Sequence, residues 1–112
     1  MCLGHQAIGE VFGGKVTQAK NIVHGKVSKV IHSKDHLYKN IEDNFSATRY
    51  HSLVIDETTL PSELTKIAQL KDGTVMGVRH KKYPIIGIQF HPESYSTDCG
   101  SKIIKNFFNY PW

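Results

Sequence analysis

The most informative stretch of the chain is IIGIQFHPES, residues 85–94. Its apolar part, Ile85 to Phe90, has the length of a buried β-strand, and the dipeptide His91-Pro92 ends that strand abruptly. In extended backbone, side chains two positions apart point the same way, so Glu93 is predicted to bond one ring nitrogen of His91. Such a bond would fix the tautomer of the imidazole and leave the other nitrogen for a nucleophile. The plainer alternative is a strand end followed by a turn, without a catalytic use.

Outward from this strand, the pattern of apolar residues predicts an α/β domain. A short helix is expected over residues 3–12, and an amphipathic helix is expected after Gly100, where apolar side chains recur at helical spacing. Further strands are expected at residues 15–19, 26–31, 49–55, 64–70 and 74–79. The dipeptide Asp72-Gly73 predicts a hairpin turn between the last two strands. Residues 33–45 are polar and predict a loop with at most one helical turn.

Cys2 is the candidate nucleophile, because it stands at the N-terminus of the first predicted helix. Exposed backbone N–H groups and the helix dipole at such a position favour a thiolate over a thiol. The segment CLGHQ, residues 2–6, also has the character of a strand-to-helix turn that projects its turn residue outward. A packed thiol, or a metal pair with His5, is the alternative for Cys2. No second pair follows at ligand spacing, so no metal site is predicted, and Cys99 is expected to be structural.

Composition and charge argue against several classes of protein. A length of 112 residues with 39% hydrophobic residues fits one folded domain. The formal net charge of +4 is scattered and lacks an interleaved aromatic platform, so nucleic-acid binding is not predicted. The apolar stretches are too short to cross a bilayer, and the first residues carry no export signal. The sequence therefore predicts a cytoplasmic protein without a membrane partner, or a plastid protein if the source is an alga or a plant.

Three short segments, taken together, resemble a known enzyme family. They are CLGHQ at residues 2–6, RYHSL at residues 49–53 and FHPES at residues 90–94. In this order they resemble the three signature blocks of the class I, or triad-type, glutamine amidotransferases. The middle block and the segment HGK at residues 24–26 are typical of the glutaminase subunits of anthranilate synthase and aminodeoxychorismate synthase.

The resemblance implies catalytic roles for the matching residues. Cys2 would attack the carboxamide of glutamine, His91 would move protons, and Glu93 would orient the ring of His91. The backbone N–H of Leu3 would supply one oxyanion donor, an interaction that can contribute ~3 kcal/mol to lowering a barrier.

The resemblance also implies how glutamine is held and where its nitrogen goes. The side chain of Gln6 would contact the substrate, and Ser52 and Leu53 would hold its amino-acid end largely through backbone groups. No cofactor is implied. Ammonia would pass to a partner synthase subunit that binds chorismate, and nothing in this chain resembles a chorismate site.

Finally, the resemblance implies a larger fold than these residues can build. Domains of this family are flavodoxin-like, with a central mixed sheet and flanking helices, and they continue upstream of the nucleophile. Residues 1–112 are therefore expected to be the C-terminal part of such a domain, without its N-terminal strands and without the loop that gives the second oxyanion donor. A truncated, non-catalytic chain that only binds a synthase subunit is the alternative. A cysteine peptidase is a weaker one, because Gln6 with Ser52-Leu53 argues against it.

Overall fold

A computed structural model describes residues 1–19, 26–49, 53–94, 97 and 99–112. The helices are α1 (Leu3–Val11) and α2 (Gly100–Phe108). Neither of these two described helices is long and apolar enough to cross a membrane. The strands are β1 (Val16–Gln18), β2 (Lys26–His32), β3 (Asn44–Arg49), β4 (Leu53–Ile55), β5 (Leu64–Gln69), β6 (Val75–His80) and β7 (Ile86–Ile88). The predicted α/β class, both predicted helices and the hairpin between β5 and β6 are confirmed.

The strands form a five-stranded sheet and a separate two-stranded pair. The order in the larger sheet is β3-β2-β5-β6-β7, and β1 pairs with β4. All pairings among the described strands are antiparallel, and the mixed sheet was expected of the whole family domain, of which these residues form the C-terminal part. From β5 to β6 and from β6 to β7 the chain returns through short turns, which fit antiparallel pairs, whereas a parallel pair needs a long crossover.

Two of the predicted strand boundaries are wrong. The single strand predicted over residues 49–55 is two strands, since β3 ends at Arg49 and pairs with β2 while β4 begins at Leu53 and pairs with β1. The loop predicted over residues 33–45 contains the expected helical turn at His36–Tyr38, but β3 already begins at Asn44. Both errors have one cause: the partner strand decides where a strand begins and which sheet it joins, and local propensity does not carry that information.

The strand predicted at residues 85–90 is shorter than expected. It lies between α1 on one face of the sheet and α2 on the other. Regular pairing covers Ile86–Ile88, although the Gln89 N–H still donates to the carbonyl of Met76 at 2.9 Å. Successive side chains of a strand point to opposite faces. A side chain at Gly87 would contact α1, while Ile88 belongs to the core cluster that includes Ile103 of α2. The end of the sheet therefore lies between the two helices.

Asp35 links the sheet to the segment that follows α2, because it bonds both Arg79 of β6 and Tyr110. The carboxylate of Asp35 accepts from Arg79 Nε at 2.9 Å and from the hydroxyl of Tyr110 at 3.1 Å. Burial, and then the Asp35 carboxylate, raise the pKa of Tyr110 to about 12, so the phenol stays a donor. The side-chain amide of Asn106 donates to the carbonyls of Leu37 and Lys39. These bonds fix α2 against the turn at 36–38.

Candidate functional site

Cys2 occupies a sharp turn at the start of α1. Its backbone has φ 49° and ψ −104°, in the left-handed half of the map where non-glycine residues are uncommon. The Cys2 N–H donates to the carbonyl of Ile88 at 2.7 Å, which ties the turn to the end of β7. A strained turn of this kind at the start of a helix is the geometry in which a nucleophile projects outward from the backbone. The sharp turn predicted at Cys2 is therefore confirmed.

The close packing of α1 on β7 depends on Gly87. A Cβ at this position would lie 3.0 Å from Nδ1 of His5, 3.1 Å from its Cα and 3.1 Å from Cδ1 of Ile8. Those distances are a few tenths of an ångström shorter than van der Waals contact, and one of them is to a backbone atom of α1, so a larger residue would require the helix to shift away from the strand. The glycine in IIGIQF thus sets the distance between Cys2 and the strand that leads to His91.

His91 and Glu93 form the pair that the sequence predicted, but the backbone between them is not extended. The His91 Nδ1 and Glu93 Oε2 atoms are 2.8 Å apart. The carbonyl of His91 accepts from the N–H of Ser94 at 3.3 Å, which closes a turn over Pro92 and Glu93. The prediction of an extended pair is wrong because proline at the second position of a four-residue turn favours that turn. Because Glu93 lies at Nδ1, the predicted proton transfer by His91 would use Nε2.

The peptide of His91 is held in place from two directions. Its N–H donates to the carbonyl of Thr48 in β3 at 3.2 Å, and its carbonyl accepts from the hydroxyl of Thr97 at 2.7 Å. The same hydroxyl accepts from the N–H of Thr48 at 3.1 Å. The sheet is therefore curled, since β3 and the segment that follows β7 meet at this point. Sequence reasoning missed Thr97, because one threonine in a polar turn carries no local signal of such a role.

We expect the Thr97→Val variant to be less stable than the wild-type chain by about 1–3 kcal/mol. Valine has nearly the same shape, but it leaves the buried N–H of Thr48 without its acceptor. It also removes the shorter of the two hydrogen bonds to the His91 carbonyl, which keeps the bond from the Ser94 N–H. Urea unfolding of the purified variant measures the loss. Thr97→Ser keeps the hydroxyl and is the matched control, expected to stay within about 1 kcal/mol of wild type. Equal unfolding free energies for Thr97→Val and wild type would contradict the assigned bonds.

Gln6 connects α1 to two other parts of the site. Its side chain is 7% exposed, and its Nε2 donates to the carbonyl of Leu53 at 3.0 Å and to Oε1 of Gln89 at 3.3 Å. Gln89 is fully buried, and its own Nε2 lies 3.6 Å from Sγ of Cys2. Sequence reasoning missed Gln89, although a lone polar residue inside the apolar run IIGIQF was the available signal.

The remaining predicted site residues lie at the rim or outside the described residues. Leu3 and Leu53 have exposed fractions of 75% and 44%. Ser52 lies outside the described residues, as do Tyr50, His51 and the first two residues of the segment at 24–26. Arg49 begins the middle block and donates to Ser28 Oγ at 3.1 Å, and burial lowers the pKa of its guanidinium. The described candidates thus gather where β7 ends and α1 begins, and their catalytic and binding roles stay predictions.

Known proteins match the chain along almost its whole length. The family model described as glutamine amidotransferase class-I matches residues 1–110. The chain is 48% identical over 110 residues to anthranilate synthase component 2 of Cyanophora paradoxa. It is 46% identical over 107 residues to aminodeoxychorismate/anthranilate synthase component 2 of Bacillus subtilis. The crystal structure of a glutamine amidotransferase from Thermotoga maritima superposes with a TM-score of 0.71 at 24% identity, which bears on the fold alone.

The matches cover the chain more completely than they cover the relatives. The two curated relatives are matched over 97% and 96% of this chain but over 58% and 55% of their own lengths. The solved structure is matched over 96% of this chain and 43% of its own. The chain thus spans about half the length of the relatives that it matches.

Proposed function

Because the chain belongs to the class-I glutamine amidotransferases, we propose that it carries the catalytic residues of a glutaminase that supplies ammonia to a chorismate-aminating synthase. One observation supports this most directly. The strained turn of Cys2 is hydrogen-bonded to Ile88, on the strand that leads to the His91–Glu93 pair. A candidate nucleophile and a candidate base with an orienting carboxylate are thereby held on the same short segment.

In this proposal the reaction proceeds in two steps. The thiolate of Cys2 attacks the carboxamide carbon of glutamine, and the tetrahedral intermediate collapses to a γ-glutamyl thioester with release of ammonia. His91 gives a proton to the departing nitrogen and then takes one from the water that hydrolyses the thioester to glutamate. Glu93 holds the His91 ring by its Nδ1, and the backbone N–H of Leu3 donates to the developing oxyanion.

The substrate and the partner follow from the matching residues and from the names of the relatives. Gln6, Ser52 and Leu53 are proposed to hold glutamine beside Cys2. The relative of Cyanophora paradoxa is named for anthranilate synthesis, and that of Bacillus subtilis for aminodeoxychorismate and anthranilate synthesis. The middle motif block resembles that of the glutaminase subunits of these chorismate-using synthases. The proposed partner is therefore a chorismate-binding synthase subunit, and residues 1–112 are proposed to be part of a larger amidotransferase domain.

An exposed apolar surface favours a second candidate function, a non-catalytic chain that only binds a synthase subunit. Leu3, Val11 and Phe108 have exposed fractions of 75%, 77% and 79%. An apolar cleft of about 350 Å³ also lies between the end of the sheet and α2, lined by residues that include Ile88 and Phe107. Phe108 lines this cleft as well, and an apolar cleft with exposed apolar side chains at its edge marks a place where another polypeptide packs.

Labelling with a glutamine analogue that carries an electrophile at its side-chain carbonyl tests the proposed function. The purified chain is treated alone and with a synthase subunit, and the modified residue is located by peptide mass spectrometry. We expect saturable labelling of Cys2 that excess glutamine prevents, and none in Cys2→Ser. Cys99 in the same molecule serves as the internal control. If Cys2 reacts with a nonspecific alkylating agent but never with the analogue, the glutaminase proposal fails. Binding of the synthase without labelling would then support the second candidate.

A further inference from the structure

We infer that Gln89 is a positioning residue that presents a hydrogen-bond donor to the sulfur of Cys2, and that Gln6 and the Leu53 carbonyl set its orientation. The inference rests on the proposed role of Cys2 as nucleophile. We call the three linked groups the amide chain: the carbonyl of Leu53, the side-chain amide of Gln6 and the side-chain amide of Gln89. The amide chain joins β4, α1 and the residue that follows β7, so it couples three separate elements to one sulfur atom.

The direction of the amide chain follows from which atoms can donate. A backbone carbonyl can only accept, so the Gln6 atom that lies 3.0 Å from the Leu53 oxygen is the nitrogen Nε2. The same nitrogen lies 3.3 Å from the side chain of Gln89, so the facing atom of Gln89 is its oxygen Oε1. The nitrogen of Gln89 is thereby turned toward Cys2, at 3.6 Å from Sγ. The Leu53 carbonyl thus determines, through Gln6, that the Gln89 atom facing the Cys2 sulfur is a hydrogen-bond donor.

The burial of Gln89 strengthens the hydrogen bond that its Nε2 donates to the Cys2 sulfur. Gln89 has no exposed surface and Gln6 has only 7%. In such surroundings a hydrogen bond is electrostatically stronger than in water, and an anionic acceptor gains more from it than a neutral one. A thiolate at Cys2 therefore gains more from Gln89 than a thiol does. The donor stabilises the reactive form and limits the rotation of the Cys2 side chain.

The dependence of Cys2 reactivity on pH distinguishes thiolate stabilisation by Gln89 from a purely structural role. If Gln89 only fills space, its replacement lowers stability but leaves the pH profile of Cys2 alkylation unchanged. If Gln89 stabilises the thiolate, its replacement slows alkylation where the thiolate is scarce and has little effect where every thiol is ionised. No glutamine is needed for this measurement.

The test is the rate of iodoacetamide alkylation of Cys2 in the reduced chain, followed by peptide mass spectrometry from about pH 6 to about pH 10. In Gln89→Met, which has similar length and no donor, the rate near neutral pH is expected to fall about tenfold and to recover at the alkaline end. Gln89→Glu places a second negative charge beside the sulfur and is expected to slow the reaction further. Gln6→Met removes the group that orients Gln89 and is expected to shift the profile in the same direction by less.

Two references keep the result interpretable. Cys99 reports on the same molecules, and Gln69→Met is the matched glutamine replacement on β5. The alkylation profile of Cys99 is expected to be the same in every variant, and Gln69→Met is expected to leave the Cys2 profile as in wild type. A wild-type Cys2 profile in Gln89→Met and in Gln6→Met overturns the inference, as does an equal change at Cys99. If Gln89→Met does not fold, the Cys2 profile of Gln6→Met alone decides whether the inference stands.

The outcome also separates this inference from the proposed function. A shifted Cys2 profile in a chain that the glutamine analogue never labels supports the amide chain and overturns glutaminase activity. Labelling by the analogue together with an unshifted profile supports the proposed function and overturns the role of Gln89.

Discussion

The Cys2→Ser variant is expected to abolish glutamine-dependent amination by the complex of this chain with the proposed synthase subunit, while amination with free ammonia continues. A serine hydroxyl in the same strained turn is a far weaker nucleophile than a thiolate, because it remains protonated at neutral pH. We expect the glutamine-dependent rate to fall by ~10⁴-fold or more, as when the nucleophile of a triad is removed. The measurement is the formation of aminated chorismate product, first with saturating glutamine and then with ammonia.

Cys99→Ser is the matched control, since it makes the same replacement at the residue that precedes α2. Both reactions are expected to proceed in Cys99→Ser as in wild type. Glutamine-dependent amination that persists in Cys2→Ser would contradict the assignment of the nucleophile. Loss of both reactions in Cys2→Ser would instead show that the variant no longer binds or supports the synthase.

The helix start at Cys2 and the strand end before His91 could be predicted because their signals are local, while the catalytic roles come from the family resemblance and stay predictions. An apolar run that stops at His91-Pro92 marks a strand end, and Cys2 before an apolar helical pattern marks a helix start. The contact between His91 and Glu93 needs only a separation of two residues, so it is present even though the backbone forms a turn instead of a strand. A contact between residues so close in sequence can be predicted correctly even when the backbone conformation between them is not.

The supporting residues could not be predicted because their partners are distant in sequence. Gln89 contacts Cys2 across 87 positions, and Thr97 contacts Thr48 across 49. The sequence around each shows only a polar residue in an apolar run, or a threonine in a polar turn. The same limitation explains the strand predicted over residues 49–55, because its division between two sheets depends on partners at β2 and β1.

The Gly100→Ala variant is expected to lose a large part of the stability of the fold. A Cβ on Gly100 would lie 1.7 Å from the carbonyl oxygen of Pro92 and 2.8 Å from its carbonyl carbon. Both neighbours are backbone atoms, so no side-chain rotation relieves the clash, and either α2 or the turn after His91 must move. Overpacking costs ~1–3 kcal/mol where side chains can adjust, and we expect a loss at or above the top of that range. Urea or thermal unfolding of the purified chain measures it.

Gly4→Ala is the matched control, because Gly4 lies in the first turn of α1 as Gly100 lies in the first turn of α2. A Cβ on Gly4 meets no atom within 4 Å, and alanine favours a helix over glycine by ~1 kcal/mol, so this variant is expected to be at least as stable as wild type. Similar unfolding midpoints for the two variants would contradict the close approach of α2 to Pro92. The turn that α2 contacts at Pro92 also contains Glu93. The position of the His91–Glu93 pair is therefore set by α2 as well as by β7.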